Sequence, residues 1–140
     1  MKKIVFTIGV FDLLHEGHIN LLERMRKEAG KDGLVACVVH DDESTWENKG
    51  KIPIQSLDRR MENLYTTGLV DMASETDNET IDFNIEMINS RSNSKIIYMR
   101  GDDWKDFPGR KTIEKLGIEI KFIKYTDNIS SSKLKKWLTE

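Results

Sequence analysis

Short β-branched runs alternate with amphipathic stretches from one end of this chain to the other, and no other feature constrains the fold as strongly. The runs are "KKIVFTIGVF" (2–11), "GLVACVVHD" (33–41), "LVDMASE" (69–75), "SKIIYMRGDD" (94–103) and "IEIKFIKY" (118–125). Between and after them, "EGHINLLERMRKEA", "SLDRRMENLYTTG", "TIDFNIEMINSR", "GRKTIEKLG" and "SSSKLKKWLTE" carry helical spacing. Ile19, Leu22 and Met25 share one helical face, as do Ile81, Ile85 and Ile88. Ser56 stands where a helix N-cap belongs, and Gly30 lies just past a basic helix end. The stretch 42–56, "DESTWENKGKIPIQS", shows no period and contains Gly50 and Pro53, so it reads as a loop. Strand–helix alternation with short connections predicts an α/β fold: one Rossmann-like, doubly wound domain over residues 1–140, with a five-stranded parallel sheet and helices on both faces.

Such sheets bind ligands beyond the carboxyl ends of their strands, where the strand order reverses. The polar clusters of this chain stand at those ends: "GVFD" and "LLHEGH" after the first strand, "HDD" after the second, "RGDDW" after the fourth, and "YTDNISSS" after the fifth. The net charge of −2, from 22 basic and 24 acidic residues, provides no footprint for nucleic acid or an anionic membrane. Any basic cluster is therefore aimed at a small anion. The single cysteine, Cys37, lies in the apolar run "LVACVV" and reads as a core residue. The apolar start is too short for a signal peptide and meets Asp12 at once, and no stretch reaches membrane-spanning length. A reduced, cytoplasmic location is the expectation.

"HEGH" is the densest chemical signal. His15 and His18 are three residues apart and share a helical face, while Gly17 between them leaves room for a ligand against the backbone. The helix that begins there adds free N–H groups and a positive dipole end. Two imidazole donors, backbone donors and no steric wall suit a phosphate. The simpler reading of either histidine is a hydrogen-bonded cap. Zinc fits less well, because the spacing is not that of a metalloprotease helix and no third ligand is near in sequence. Lys49 and Lys51 flank Gly50, where two ammonium groups could fold over phosphates; a solvated loop is the plainer alternative. Ser130, Ser131 and Ser132 open the last helix with more hydroxyls than capping requires. His40 either contacts a base or ribose or simply closes its strand, and the second reading is preferred. Trp46 and Trp137 are given no functional role.

"GVFDLLHEGHINLL" resembles the HxGH signature of the cytidylyltransferase branch of the nucleotidylyltransferases. "NISSSKLK" looks like the second signature of that family, and "RGDDW" is similar to the matching segment of glycerol-3-phosphate cytidylyltransferases. The three segments stand in the family's order from the first strand to the last helix. The resemblance implies that an acceptor phosphate attacks the α-phosphorus of a nucleoside triphosphate and pyrophosphate leaves. His15, His18 and Lys51 would stabilise that displacement. Gly9, Val10, Phe11, Asp12, Gly17, Lys49, Gly101, Asp102, Ile129, Ser130, Ser131 and Ser132 would line the nucleotide. Arg60 and Trp104 would face the acceptor, with Arg59 a surface charge and Trp104 otherwise a packing residue. Magnesium (Mg2+) would bridge the triphosphate, with no metal ligand from the protein; Asp12 would orient the turn or a metal-bound water. A homodimer is expected.

Two departures from that family stand out. "TTGLVD" lacks an arginine often found before "VD", and Tyr125 to Asn128 lack the arginine of an RTEG-like sequence, for which Lys124 or Lys133 could substitute. The expected activity is transfer of a cytidylyl group from CTP to a small phosphorylated polyol or sugar. The alternatives are an adenylyltransferase that uses ATP on a sugar phosphate of the heptose-phosphate type, and a nucleotide-binding module without catalysis.

Overall fold

The computed structural model describes residues 2–91 and 93–124. The order is β1 (Lys2–Gly9), α1 (Glu16–Ala29), β2 (Leu34–His40), α2 (Asp42–Lys49), α3 (Leu57–Thr66), β3 (Met72–Thr76), α4 (Ile81–Asn89), β4 (Ser94–Gly101), α5 (Arg110–Lys115) and β5 (Glu119–Ile123). All pairings are parallel, and the strands lie in the order β3-β2-β1-β4-β5. The expected α/β, Rossmann-like fold with a five-stranded parallel sheet is therefore present. The chain winds outward through β2 and β3 on one side of β1 and through β4 and β5 on the other. The order reverses between β1 and β4, which puts a crevice at their carboxyl ends.

Alternation along the central strands divides the core in two. Val5, Val35, Cys37 and Ile97 face α1 and α3 and pack with Leu22, Met25 and Leu64. Phe6, Val38 and Tyr98 face the opposite way and pack with Ile81 and Ile85 of α4 and Ile113 of α5. Helices thus cover both faces of a sheet whose central strands are continuous apolar runs, as parallel strands buried on two sides require.

One element departs from expectation. Residues 42–49 form the helix α2, where the missing apolar period predicts a loop. Asp41 caps it by accepting from the Ser44 amide at 2.8 Å, and the Thr45 hydroxyl donates to the Asp41 carbonyl at 2.7 Å. Only Ser44 and Thr45 are buried, so the inward face is made of hydroxyls and leaves no hydrophobic signature. Gly50 ends the helix with φ 68°, a left-handed conformation that favours glycine. The legible signals were the aspartate cap, the acidic first turn and the terminal Lys-Gly.

Candidate active site

The turn between β1 and α1 is held under strain. Phe11 and Leu13 have φ of 55° and 54°, in a region that non-glycine residues seldom occupy. Asp12 between them is 2% exposed, and both carboxylate oxygens are committed: one accepts from the Ile54 amide at 2.8 Å, the other from the Gln55 amide at 2.9 Å. Gln55 returns the bond, its Oε1 accepting from the Leu13 amide at 2.9 Å. Asp12 thus orients the turn by fastening it to the segment before α3. Gly9 ends β1, where an added Cβ would come within 3.1 Å of the Phe11 ring.

His15 and His18 cap α1 reciprocally. His15 Nδ1 accepts from the Gly17 amide at 3.0 Å, and His18 Nδ1 accepts from the His15 amide at 3.3 Å. An Nδ1 that accepts carries no proton, so each neutral ring holds its proton on Nε2 and presents it as a donor. The rings stack with centroids 3.9 Å apart. Burial, followed by the charges of His15 and Lys49 and opposed by Asp12, pushes the His18 pKa down to about 3. Burial likewise holds His15 below the ordinary imidazole value. Capping therefore uses one nitrogen of each ring, Nδ1, and leaves the proton on Nε2.

Arg60 requires a correction. Its guanidinium is completely buried and grips protein, not an incoming phosphate. Nη1 donates to the carbonyls of Val10 (2.9 Å) and His40 (2.7 Å), Nε to the carbonyl of Gln55 (3.2 Å), and Nη2 to the Asp42 carboxylate (2.8 Å). It ties the ends of β1 and β2 to the start of α2 and lies behind the crevice. Its position in α3, three residues after Leu57 and four before Leu64, was the signal that it faces inward. Lys49 also differs from expectation. It sits on the last turn of α2 and not on a glycine loop, with Nζ 5.5 Å from the centroid of the Trp104 ring. Lys51 is exposed in the segment beyond Gly50.

The other wall of the crevice rises from β4. Gly101 ends that strand, and the Asp102 amide donates to the Ile123 carbonyl at 2.9 Å. Trp104 is half-buried, packing against the core while lining a cleft with Gly9, Val10, His40, Lys49 and Arg100. Arg100 was missed by sequence reasoning, although it follows Ile96 and Tyr98 at a spacing of two on a buried face, which was its available signal. Its Cζ lies 5.5 Å from the Trp104 centroid and 4.7 Å from that of Phe107, and its buried Nε has no hydrogen-bond partner. Ile129, Ser130, Ser131 and Ser132 lie outside the described residues, as does the predicted last helix. Among the described residues no group of three His, Cys, Asp or Glu side chains is placed to hold a metal ion, and no helix is long and apolar enough to cross a membrane.

Known proteins resemble this chain along most of its length. The chain is 30% identical to the bifunctional protein HldE of Alcanivorax borkumensis over 99% of its own length, and 37% identical to HldE of Desulfatibacillum aliphaticivorans over 95%. It covers 28% and 26% of those proteins, so it spans about a quarter of the relatives it matches. Among solved structures, it is similar to the lipopolysaccharide core biosynthesis protein from Thermoplasma volcanium, with a TM-score of 0.69, 28% identity, and coverage of 90% of this chain and 98% of that one. A pantothenate synthetase from Thermus thermophilus, 16% identical with a TM-score of 0.57, covering 96% of this chain and 64% of that one, shares the fold. The family profile described as cytidylyltransferase-like matches residues 6–137. With the histidine-capped helix at the sheet's switch point and a match along nearly its whole length, this chain belongs to the cytidylyltransferase-like family of nucleotidylyltransferases.

Proposed function

We propose that this protein transfers an adenylyl group from ATP to a sugar phosphate, releasing pyrophosphate. The carrying observation is the pair of neutral imidazoles whose Nδ1 atoms are tied to backbone amides and whose Nε2–H groups remain as donors beside Lys49. In the reaction, an oxygen of the acceptor phosphate attacks the α-phosphorus and a new P–O bond forms. The bond from that phosphorus to the β-phosphate bridging oxygen breaks, and pyrophosphate leaves with the electron pair. No general base is needed, because the attacking phosphate is already ionised. His15 and His18 donate to the α-phosphate oxygens as charge accumulates there, while Lys49 and Lys51 neutralise the triphosphate. Magnesium arrives with the triphosphate as part of the substrate. Ser130, Ser131 and Ser132 are assigned to the β- and γ-phosphates.

ATP and a sugar phosphate are preferred to CTP and a polyol phosphate because the relatives reported above are HldE proteins and a lipopolysaccharide core biosynthesis protein. A cytidylyltransferase acting on a polyol phosphate is the second reading, favoured by "RGDDW" at the end of β4. The deciding experiment supplies ATP or CTP with magnesium and a panel of sugar 1-phosphates and glycerol 3-phosphate, and measures pyrophosphate. Release with ATP and a sugar phosphate is the expected result. Release with CTP alone selects the second reading. Nucleotide-dependent thermal stabilisation without pyrophosphate from any pair would overturn catalysis and leave a binding module.

A further inference from the structure

The end of β3 and the turn after it, residues 76–80, brace both ends of α2, the helix that carries Lys49. At the helix start, the Asp41 amide donates to the Thr76 carbonyl at 2.9 Å. At its last turn, Asn48 and Asn78 form a reciprocal amide pair, the Nδ2 of each donating to the Oδ1 of the other at 3.0 Å. Asn78 Nδ2 also donates to the Glu47 carboxylate at 3.1 Å. The turn is fixed in its own right: Asp77 Oδ1 accepts from the Glu79 amide (3.0 Å), the Thr80 amide (2.8 Å) and the Thr80 hydroxyl (2.8 Å). These ties matter because the buried residues of α2 are Ser44 and Thr45. With hydroxyls on its inward face, hydrogen bonds rather than apolar packing set where its last turn sits.

That last turn ends in Lys49, at the crevice. Its Nζ lies 5.5 Å from the Trp104 centroid, across the cleft. Burial first, then nearby charge that includes Lys49, lowers the pKa of both His18 and His40. Gly50 follows at once in a left-handed conformation, so a loosened turn would let Lys49 swing away from those rings. We propose that Asn78 is a positioning residue: through Asn48 it holds the end of α2 so that the Lys49 ammonium stays beside His18, where the triphosphate binds. The inference rests on the proposed activity, in which Lys49 neutralises that triphosphate. It adds a residue that acts through Lys49 and not by contact with substrate, from the β3–α4 turn.

Calorimetry on the full chain measures the binding of ATP and of CTP, each with magnesium and without acceptor, and follows whichever binds more tightly. Asn78→Ala should weaken that binding about 5-fold, and Asn48→Ala should match it, because either change breaks the same pair. Lys49→Met should cost about 10-fold. In the Lys49→Met background, Asn78→Ala should change affinity by less than about 2-fold, since two residues that act through one contact are not additive. The amide pair is exposed, so thermal denaturation should place every variant close to the wild type. Unchanged affinity in Asn78→Ala overturns the inference, as does an equal loss with and without the Lys49 side chain, which a merely structural role would produce. A wild type that binds neither triphosphate overturns the proposed activity and this inference together. The expected coupling in a protein that releases no pyrophosphate supports the positioning role and counts against the activity alone.

Discussion

Nη1 of Arg60 lies 2.9 Å from the carbonyl of Val10, joining a helix interior to the end of the central strand from a position with no solvent exposure. The same nitrogen reaches the His40 carbonyl, so one guanidinium sets the spacing of β1 and β2 at the crevice. Arg60→Ala should cost at least about 3 kcal/mol in urea denaturation, since it leaves buried carbonyls unpaired. Arg60→Lys should recover only part, because an ammonium cannot reproduce the fork. If Arg60 instead bound the acceptor, the alanine variant would keep its stability and raise only the acceptor KM.

The division of labour within each imidazole makes His18 separable into two functions. His18→Asn keeps an acceptor near the Nδ1 position for the His15 amide and removes the Nε2 donor. It should fold with near wild-type stability and lose about 10²–10³-fold in kcat, as loss of one donor to a developing oxyanion does. His18→Gln keeps a donor near the Nε2 position and should retain more activity than the asparagine variant. Steady-state pyrophosphate release and thermal denaturation on both variants check the pair.

The depressed histidines dictate how stability responds to acid. In the unfolded chain an imidazole titrates near about 6.5, whereas folded His18 resists charging until about 3 and His40 until about 4. Below about pH 6.5 the unfolded state binds protons that the folded state refuses, so stability is full above that value and falls as pH falls. His18 alone should remove about 2 kcal/mol by pH 5, and His40 acts in the same direction. Denaturation between pH 7.5 and 5 should show this slope, reduced in His18→Asn; a flat profile in the wild type would contradict the burial of both rings.

Asp12 gives a local test of the strained turn. Asp12→Asn replaces one of two accepting oxygens with an amide nitrogen that faces a backbone donor, at a cost of about 1–3 kcal/mol. The segment around Ile54 and Gln55 should loosen, with faster proteolysis between Gly50 and Pro53 and a raised triphosphate KM. Unchanged cleavage there would show that the clamp does not hold the segment.

What could be read from residues alone was whatever repeats or stands adjacent in sequence. Continuous β-branched runs named the strands and the 3.6 period named every described helix but α2, because burial on both faces of a sheet or on one face of a helix is written into consecutive residues. Strand ends rich in polar groups placed the crevice, and the HEGH segment placed its helix terminus. The helix α2 escaped because its buried face is Ser44 and Thr45, whose stability comes from hydrogen bonds to Asp41 and not from apolar surface. The roles of single polar side chains were decided elsewhere. Arg60 and Arg100 are both arginines near the crevice, yet one is saturated by carbonyls from three segments and the other keeps a buried donor without a partner. Burial lowers the pKa of both His18 and His40, yet the Nδ1 of one accepts from a backbone amide and that of the other meets a serine hydroxyl. A side chain's chemistry depends on which groups complete its hydrogen bonds, and those groups come from distant segments that only the folded chain brings within reach.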